Sequence, residues 1–471
     1  MKLNKEQYIA ARHKNGPMLV LAGPGSGKTH LLVERITLMI EEYHIPPESI
    51  MVITFSKKAA VQMQKRFEKR VAKTSYPVTF GTFHAVFYHI LQQFDPGISR
   101  LITEEECFLF VRSAIADCRP DSDFFRSEEN TDIIAGLISS YKNFREEFFE
   151  RNEFAREFKA QEAEEFERIF DHYCRLVRDA GLIDFDDMII RCQEVLRKHE
   201  SVLRKWQNLY RYFLVDEFQD INEAQYDVLR LLAGDERNVF AVGDDDQSIY
   251  AFRGARPELM KKFLHQFPGC KQVILKMNYR CSANIIGAAD TLVRHNLDRL
   301  DRPMQDHLPQ KRGGTVEIIH AESAEVQAEY VCDRIMSLME DNGYSRSDFA
   351  VLYRSGHCAR IFRKKSGQRG LYDPVKSAGS INMMTAHASK GLEFPCVFII
   401  GLQEGLFPHY RDMDGNCEEE RRLMYVAMTR AKERLYMCAL GSEHGKRSSR
   451  FINEVIEKKK YIRDYINVTR I

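Results

Sequence analysis

Short apolar runs and helical patterns alternate toward both ends of the chain. Met18–Ala22 is one such run; Gly-rich residues follow it, and then a helix-like stretch, His30–Tyr43. Ile50–Phe55 is a second, followed by a charged helical pattern from Lys57. Tyr212–Val215, Asn238–Val242, Val316–His320, Phe349–Tyr353, Val397–Ile400 and Leu435–Leu440 repeat the pattern. Runs of four to six apolar residues separated by helices predict parallel strands covered on both faces, an α/β architecture. Residues 86–181 differ: Phe166, Ile169, Phe170, Tyr173 and Val177 fall at helical spacing, with Gly181 as a stop. They predict a helical insertion inside the first α/β domain. The polar, turn-rich residues 366–380 read as a connector.

Composition narrows the class. With 44% apolar and 29% charged residues, the chain of 471 residues has an ordinary globular make-up, not that of a disordered or collagen-like one. No apolar stretch approaches the ~20 residues that span a bilayer, and the start has no run suited to a signal peptide, so the expectation is a cytoplasmic protein without a membrane partner. Eleven cysteines, none in a CxxC, point to reduced thiols and away from disulfide, zinc-ribbon or iron–sulfur frameworks. Lys and Arg total 69 against 68 Asp and Glu, a net charge of +1, so only local clustering bears on a nucleic-acid partner. Residues 57–73 carry seven basic residues against one acid, and residues 354–369 carry six against none. Both are candidate phosphate-facing strips.

The sharpest chemistry lies at Gly23-Pro24-Gly25-Ser26-Gly27-Lys28-Thr29, between a predicted strand and a predicted helix. Glycines there let backbone N–H groups close around phosphate oxygens, and the helix N-terminus adds its positive end. Lys28 is the candidate for the β/γ-phosphates and Thr29 for Mg²⁺. Tyr212–Val215 runs into Asp216-Glu217-Phe218-Gln219-Asp220. Carboxylates at the end of a strand suit metal chemistry, with Asp216 on Mg²⁺ and Glu217 orienting or deprotonating water.

Those strings, together with Thr54–Ala60, Gly81–His84, Gly243–Ala255, Asn278–Arg280, Thr385–Phe394 and Tyr425–Lys432, resemble the ordered motifs of the UvrD/Rep family of superfamily 1 DNA helicases. The resemblance runs from Leu3 to Phe451. It implies two RecA-like P-loop NTPase domains: a first at 1–85 and 182–275, interrupted by the insertion at 86–181, and a second at 276–471. It implies that Gln7 reads adenine, Tyr279 stacks on the base, Glu393 contacts the ribose, Gln247 senses the γ-phosphate, and Arg280 and Arg430 reach that phosphate from the second domain. It implies that Phe55, Phe185, Tyr250 and Phe252 stack on exposed bases, a contact worth ~1–3 kcal/mol per base and tolerant of sequence. Arg253, His84, Thr385 and His387 are the remaining candidates along the strand.

The implied activity is ATP hydrolysis with Mg²⁺, coupled to 3′→5′ movement on single-stranded DNA and to strand separation. The implied partners are single-stranded DNA and its junctions with duplex, with repair or replication proteins beside them, for a monomer associated with the nucleoid. Two departures stand out. His30 occupies the place after Thr29 where relatives usually have Arg. Only about a hundred residues separate Arg280 from Thr385, where relatives carry a large accessory domain, so residues 366–380 fall at its insertion point. A translocase that displaces proteins but unwinds little, or an ATP-switched DNA-binding module, are the competing expectations.

Overall fold

The computed structural model describes residues 2–71, 76–94, 98, 100–144, 148–151, 155, 158–251, 254–300, 305–306, 313–373, 379–410, 417–441, 447–456 and 466–471. Two six-stranded sheets organise them. The first contains β1 (Met18–Ala22), β2 (Ile50–Thr54), β3 (Thr79–Thr82), β4 (Tyr212–Val215), β5 (Val239–Gly243) and β6 (Lys271–Leu275), in the order β3-β2-β4-β5-β1-β6. The second contains β7 (Thr315–Ala321), β8 (Phe349–Tyr353), β9 (Asn382–Thr385), β10 (Phe394–Leu402), β11 (Ala431–Leu440) and β12 (Ile466–Arg470), in the order β9-β8-β10-β11-β7-β12. Every pairing within both sheets is parallel. Counted from its own first strand, each lobe follows the same path, 3-2-4-5-1-6. The chain is an α/β protein with two RecA-like domains.

The period-two alternation of a strand explains the cores. In β1, Leu19 and Leu21 enter one hydrophobic cluster with Met51, Ile53 and Phe213, while Met18, Val20 and Ala22 enter another with Ile50, Val52 and Leu214. In the second lobe, Val397 and Ile399 face one cluster and Cys396, Phe398 and Ile400 the other. A strand buried on both faces reads as an unbroken apolar run. Ile249 follows the first lobe's Gln247 in sequence, yet it is buried in the second lobe's cluster beside Cys281 and Ile285.

The helical insertion has its own core. Phe166, Ile169, Phe170, Tyr173 and Val177 are all buried on the helix Ala160–Asp179, and Gly181 takes the left-handed φ of +68° that ends it. Its upstream edge lies later than residue 86. The helix Phe83–Phe94 buries Val86, Phe87 and Ile90 against the first sheet, and the insertion's own cluster begins at Ile102. Residues 366–368 of the expected connector close a helix, Arg360–Gln368, and residues 374–378 lie outside the described residues.

Candidate functional site

The phosphate-loop residues turn between β1 and the helix Lys28–Glu41. Ser26 donates its backbone N–H (3.3 Å) and its hydroxyl (2.7 Å) to the Gly23 carbonyl, and Gly25 and Gly27 adopt φ of +67° and +84°. At Gly25 a side chain is excluded twice. Its φ is left-handed, and a Cβ would lie 2.5 Å from Arg280 Cβ of the second lobe. The loop is also held from outside. Asn278 donates to the Pro24 carbonyl (2.7 Å), Tyr279 N to the Gly25 carbonyl (2.9 Å), and Gln7 Nε2 to the Ser26 carbonyl (2.9 Å). Gln7 forms a capping box with Asn4, and Asn4 donates to the Tyr279 hydroxyl at 2.8 Å. Buried Arg35 donates to the carbonyls of Ala11 and His13, at the end of the helix Lys5–Ala11 that carries Gln7, and lies over the Phe240 ring. The two candidate base-recognition residues therefore share one hydrogen-bonded frame.

Lys28 Nζ lies 3.0 Å from both carboxylate oxygens of Glu217. Burial alone would lower the amine's pKa, but Glu217, Asp216 and Asp244 outweigh it and hold the pKa above its ordinary value. Burial, reinforced by the charge of Glu217, raises Asp216. Glu217 moves the other way: burial opposes ionisation, yet Lys28 and Lys390 prevail and lower its pKa. Thr29 is the second residue of the Lys28–Glu41 helix.

The turn Asp245–Gln247, the candidate sensor turn, follows β5. Gln247 Nε2 donates to Asp244 (2.5 Å), while its Oε1 lies 3.5 Å from Arg430 Nη2. Arg430 is almost wholly buried and is fixed by the carbonyls of Val426 (2.8 Å) and Leu392 (3.2 Å). Burial, aided by the nearby Arg280 charge, lowers its pKa to about 9, so the guanidinium keeps its proton at neutral pH. Arg280 Nε donates to Glu393 at 2.7 Å, and Lys432 pairs with the same carboxylate at 2.7 Å. For Glu393 burial opposes ionisation, but those two cations hold its pKa below the ordinary value.

Two residues without an assigned role complete this centre. Gln219, fully buried, donates to Glu217 (2.5 Å) and accepts from Asp244 N (2.9 Å), joining the two acid-bearing strand ends. Lys390, from the second lobe, reaches Asp220 (2.5 Å) and the Gln247 carbonyl (2.7 Å), with its amine 4.9 Å from the Tyr250 ring centroid. Both lie inside the motif strings, so position flagged them; nothing in their residue type separated them from solvated neighbours.

The described aromatic candidates pack in two groups, Phe55 with Tyr250 and His387, and Phe185 with His84. Phe55, 40% exposed, stacks on Tyr250 at 4.8 Å and 15°. Tyr250 meets His387 at 6.5 Å. Phe185, 51% exposed, meets His84 edge-on at 5.0 Å. Phe185 opens a helix whose N-cap, Asp184, is held by Lys142 (2.5 Å) and Tyr173 (3.0 Å) of the insertion. Burial lowers the His84 pKa to about 4, so this ring is neutral at pH 7. Thr385 ends β9, and its hydroxyl accepts from Ala388 N at 3.2 Å. Phe252 and Arg253 lie outside the described residues.

The basic strips fare differently. In 354–369, Arg354 pairs with Glu420, Lys365 with Glu329 and Arg369 with Asp333, which neutralises half of its cations. In 57–71, Lys57, Lys58, Lys65, Arg66 and Lys69 are exposed, and Arg70 pairs with Glu34.

A glycine-lined phosphate loop, carboxylates at the end of β4, one strand removed in the same sheet, and two arginines from a second lobe of the same topology define a two-domain P-loop NTPase. Residues 3–268 match the UvrD/REP helicase N-terminal domain, and residues 273–375 and 368–442 match the UvrD-like helicase C-terminal domain. The chain belongs to the UvrD/Rep helicase family. It is 26% identical to the ATP-dependent DNA helicase PcrA of Staphylococcus epidermidis across 97% of this chain and 86% of that protein. It is 25% identical to DNA helicase II of Escherichia coli (97% and 88%) and 31% identical to the E. coli ATP-dependent DNA helicase Rep (83% and 57%). The alignment with PcrA extends over 638 residues, more than the 471 of this chain, so that relative carries residues with no counterpart here. Among the described residues, no helix is long and apolar enough to cross a membrane.

Proposed function

We propose that this chain is an ATP-dependent DNA helicase motor that binds ATP in the cleft between its lobes and moves along single-stranded DNA. The observation that carries the reading is the convergence of both lobes on one centre. Gly25 of the phosphate loop packs against Arg280, and Gln247 faces Arg430. Only a closed pair of lobes completes this charge set. In this reading the nucleotide stabilises the closed pair, and its hydrolysis favours reopening.

Each residue has a task within that cycle. Lys28 leaves Glu217 for the phosphates, and Arg280 and Arg430 offer fixed forks of donors to the charge that develops on the transferring phosphoryl group. Glu217 then holds the attacking water, and Gln219 keeps its carboxylate in place. Gln7 and Tyr279 hold the base, and Glu393 the ribose. Thr29 and Asp216 fit a magnesium ion. They supply hard oxygen donors, and the Asp216 carboxyl is buried where a cation would reverse its raised pKa. Bound there, the ion supplies charge neutralisation at the phosphates.

Phe55, Tyr250 and Phe185, with His84, His387 and Thr385, form the stacking face for the strand; Phe252 and Arg253 extend it by resemblance. The family resemblance supports 3′→5′ polarity, action at single/double-strand junctions, work beside repair or replication proteins, and a monomer associated with the nucleoid. A translocase that displaces bound proteins and unwinds little is the second reading. The excess length of the PcrA alignment, and two matched segments that overlap at residues 368–375, support it.

The test is the steady-state ATPase rate with and without single-stranded DNA. A rise of at least about tenfold on DNA is expected for a motor that gains its catalytic geometry on closure. A rate that ignores DNA would refute the reading.

A further inference from the structure

Residues 296–300 join the second lobe to the sensor turn of the first. Besides the Asn296 N–H on the Val293 carbonyl (3.1 Å), their second-lobe anchors lie on the helix Glu418–Met428. Arg421 donates to the Asn296 side chain (2.6 Å), Asn296 to the Glu418 carbonyl (3.2 Å), Leu297 N to the Glu418 carboxylate (2.7 Å), and Arg422 to the Asp298 carbonyl (3.1 Å). Their first-lobe anchors are Lys261 on Asp298, Leu300 N on Asp245 (2.6 Å), and the fork of Arg299 on Asp246, at 3.1 and 2.6 Å. The last pair is secluded, with side-chain exposures of 11% for Arg299 and 1% for Asp246.

The run Asp244-Asp245-Asp246 therefore divides its labour. Asp244 holds the Gln247 amide, Asp245 accepts the strap's backbone, and Asp246 takes its guanidinium. The helix that anchors the strap at its start ends beside Arg430, which faces Gln247. Three routes connect Gln247 to Arg430, one of them through Lys390, which donates to the Gln247 carbonyl at 2.7 Å two residues before Leu392, whose carbonyl accepts from Arg430. The direct one, at 3.5 Å, is at the limit of a hydrogen bond and cannot fix their register. The route through Asp246, Arg299 and Glu418 is bidentate and secluded where Arg299 meets Asp246, and it fixes an orientation that the single ammonium of Lys390 does not. Arg suits this place better than Lys because its planar fork fixes orientation as well as charge.

We propose that Arg299 is a positioning residue for nucleotide hydrolysis: through Asp246 it sets the sensor turn against the second lobe, so that Gln247 and Arg430 arrive together at the phosphate. Arg299 touches neither the phosphate loop nor the base-recognition frame, so ATP affinity is independent of it. The inference rests on the motor reading above.

The experiment compares the full chain with its Arg299→Gln, Arg299→Lys and paired Arg299→Asp/Asp246→Arg variants, by kcat and KM for ATP on saturating single-stranded DNA, with thermal melting alongside. Misplacing the catalytic group predicts that Arg299→Gln lowers kcat on the order of 10- to 100-fold. KM should stay within about twofold, because ground-state binding is untouched. Arg299→Lys should lie between that variant and the parent, and the paired reversal should exceed Arg299→Asp alone. A parental kcat in Arg299→Gln, a loss that only follows the folded fraction, or a reversal no better than its single variant would overturn the proposal. If Arg299→Gln does not fold, a parental kcat in Arg299→Lys would overturn it equally. A parent chain that hydrolyses no ATP on DNA would instead remove the motor reading, and the inference with it.

Discussion

At Glu217 the backbone adopts φ 52° and ψ 46°, the left-handed region, without a glycine's freedom. Such a conformation costs about 1–3 kcal/mol and persists only where its surroundings impose it. Here Lys28 and Gln219 grip the carboxylate from two sides. The position is thus over-determined, as expected of a group that must meet a water at one point. Glu217→Gln should therefore keep ATP binding but lose turnover on the order of 10²- to 10⁴-fold, measured as nucleotide affinity beside single-turnover hydrolysis. Full turnover would remove the water-orienting role.

His84 makes a second residue-scale prediction. Its folded pKa of about 4 lies below the ~6.5 of an unfolded histidine. Between those values the unfolded chain binds the proton and the folded one does not. Stability from this group is complete above pH 6.5 and is lost as pH falls toward 4. Urea melts at pH 7 and pH 4.5 should show a smaller acid loss in His84→Asn than in the parent; equal losses would contradict a buried neutral ring.

Elements were legible in the sequence in proportion to their burial. The eight apolar runs correspond to β1, β2, β4, β5, β7, β8, β10 and β11, and these are the interior strands of the two sheets. The four that escaped notice, β3, β6, β9 and β12, are the four edges. The reason is physical. Lys271 and Gln272 of β6 and Asn467 and Val468 of β12 face solvent, so no apolar run marks them. The motif strings singled out residues that the structure brings together around the phosphate loop, but not Gln219 or Lys390 as joints between them, because such contacts depend on tertiary approach. Nor did charge runs reveal their ion pairs: 354–369 reads as a cationic strip, yet Glu420, Glu329 and Asp333 come from distant elements.

The junction of β5 with the sensor turn carries its own prediction. A Cβ at Gly243 would lie 2.8 Å from Gln219 Oε1 and 3.3 Å from Gln219 N. Gly243→Ala must therefore displace the side chain that links Glu217 to Asp244. The expected result is a kcat loss of about tenfold or more with little change in melting temperature, read by parallel ATPase and thermal scans. Unaltered hydrolysis would show that Gln219 is not needed to hold Glu217.

For the whole molecule, two sheets of identical strand order contribute to one cluster of residues around the phosphate loop, and the proposed stacking face draws Phe55 and Tyr250 from the first lobe and His387 from the second. Lys390 ties these regions together, touching Asp220, the Gln247 carbonyl and the Tyr250 ring. In the proposed motor, a change in lobe spacing at the nucleotide is thereby felt at the proposed stacking face. With a net charge of only +1, long-range steering toward DNA is weak, and grip depends on local contacts. The measurement that bears most directly on this account follows single-stranded DNA labelled at one end, over a series of lengths, after ATP is mixed with the preformed complex. A motor gives a lag before the end signal that grows in proportion to length. A signal that appears at the same time for every length would contradict directed movement.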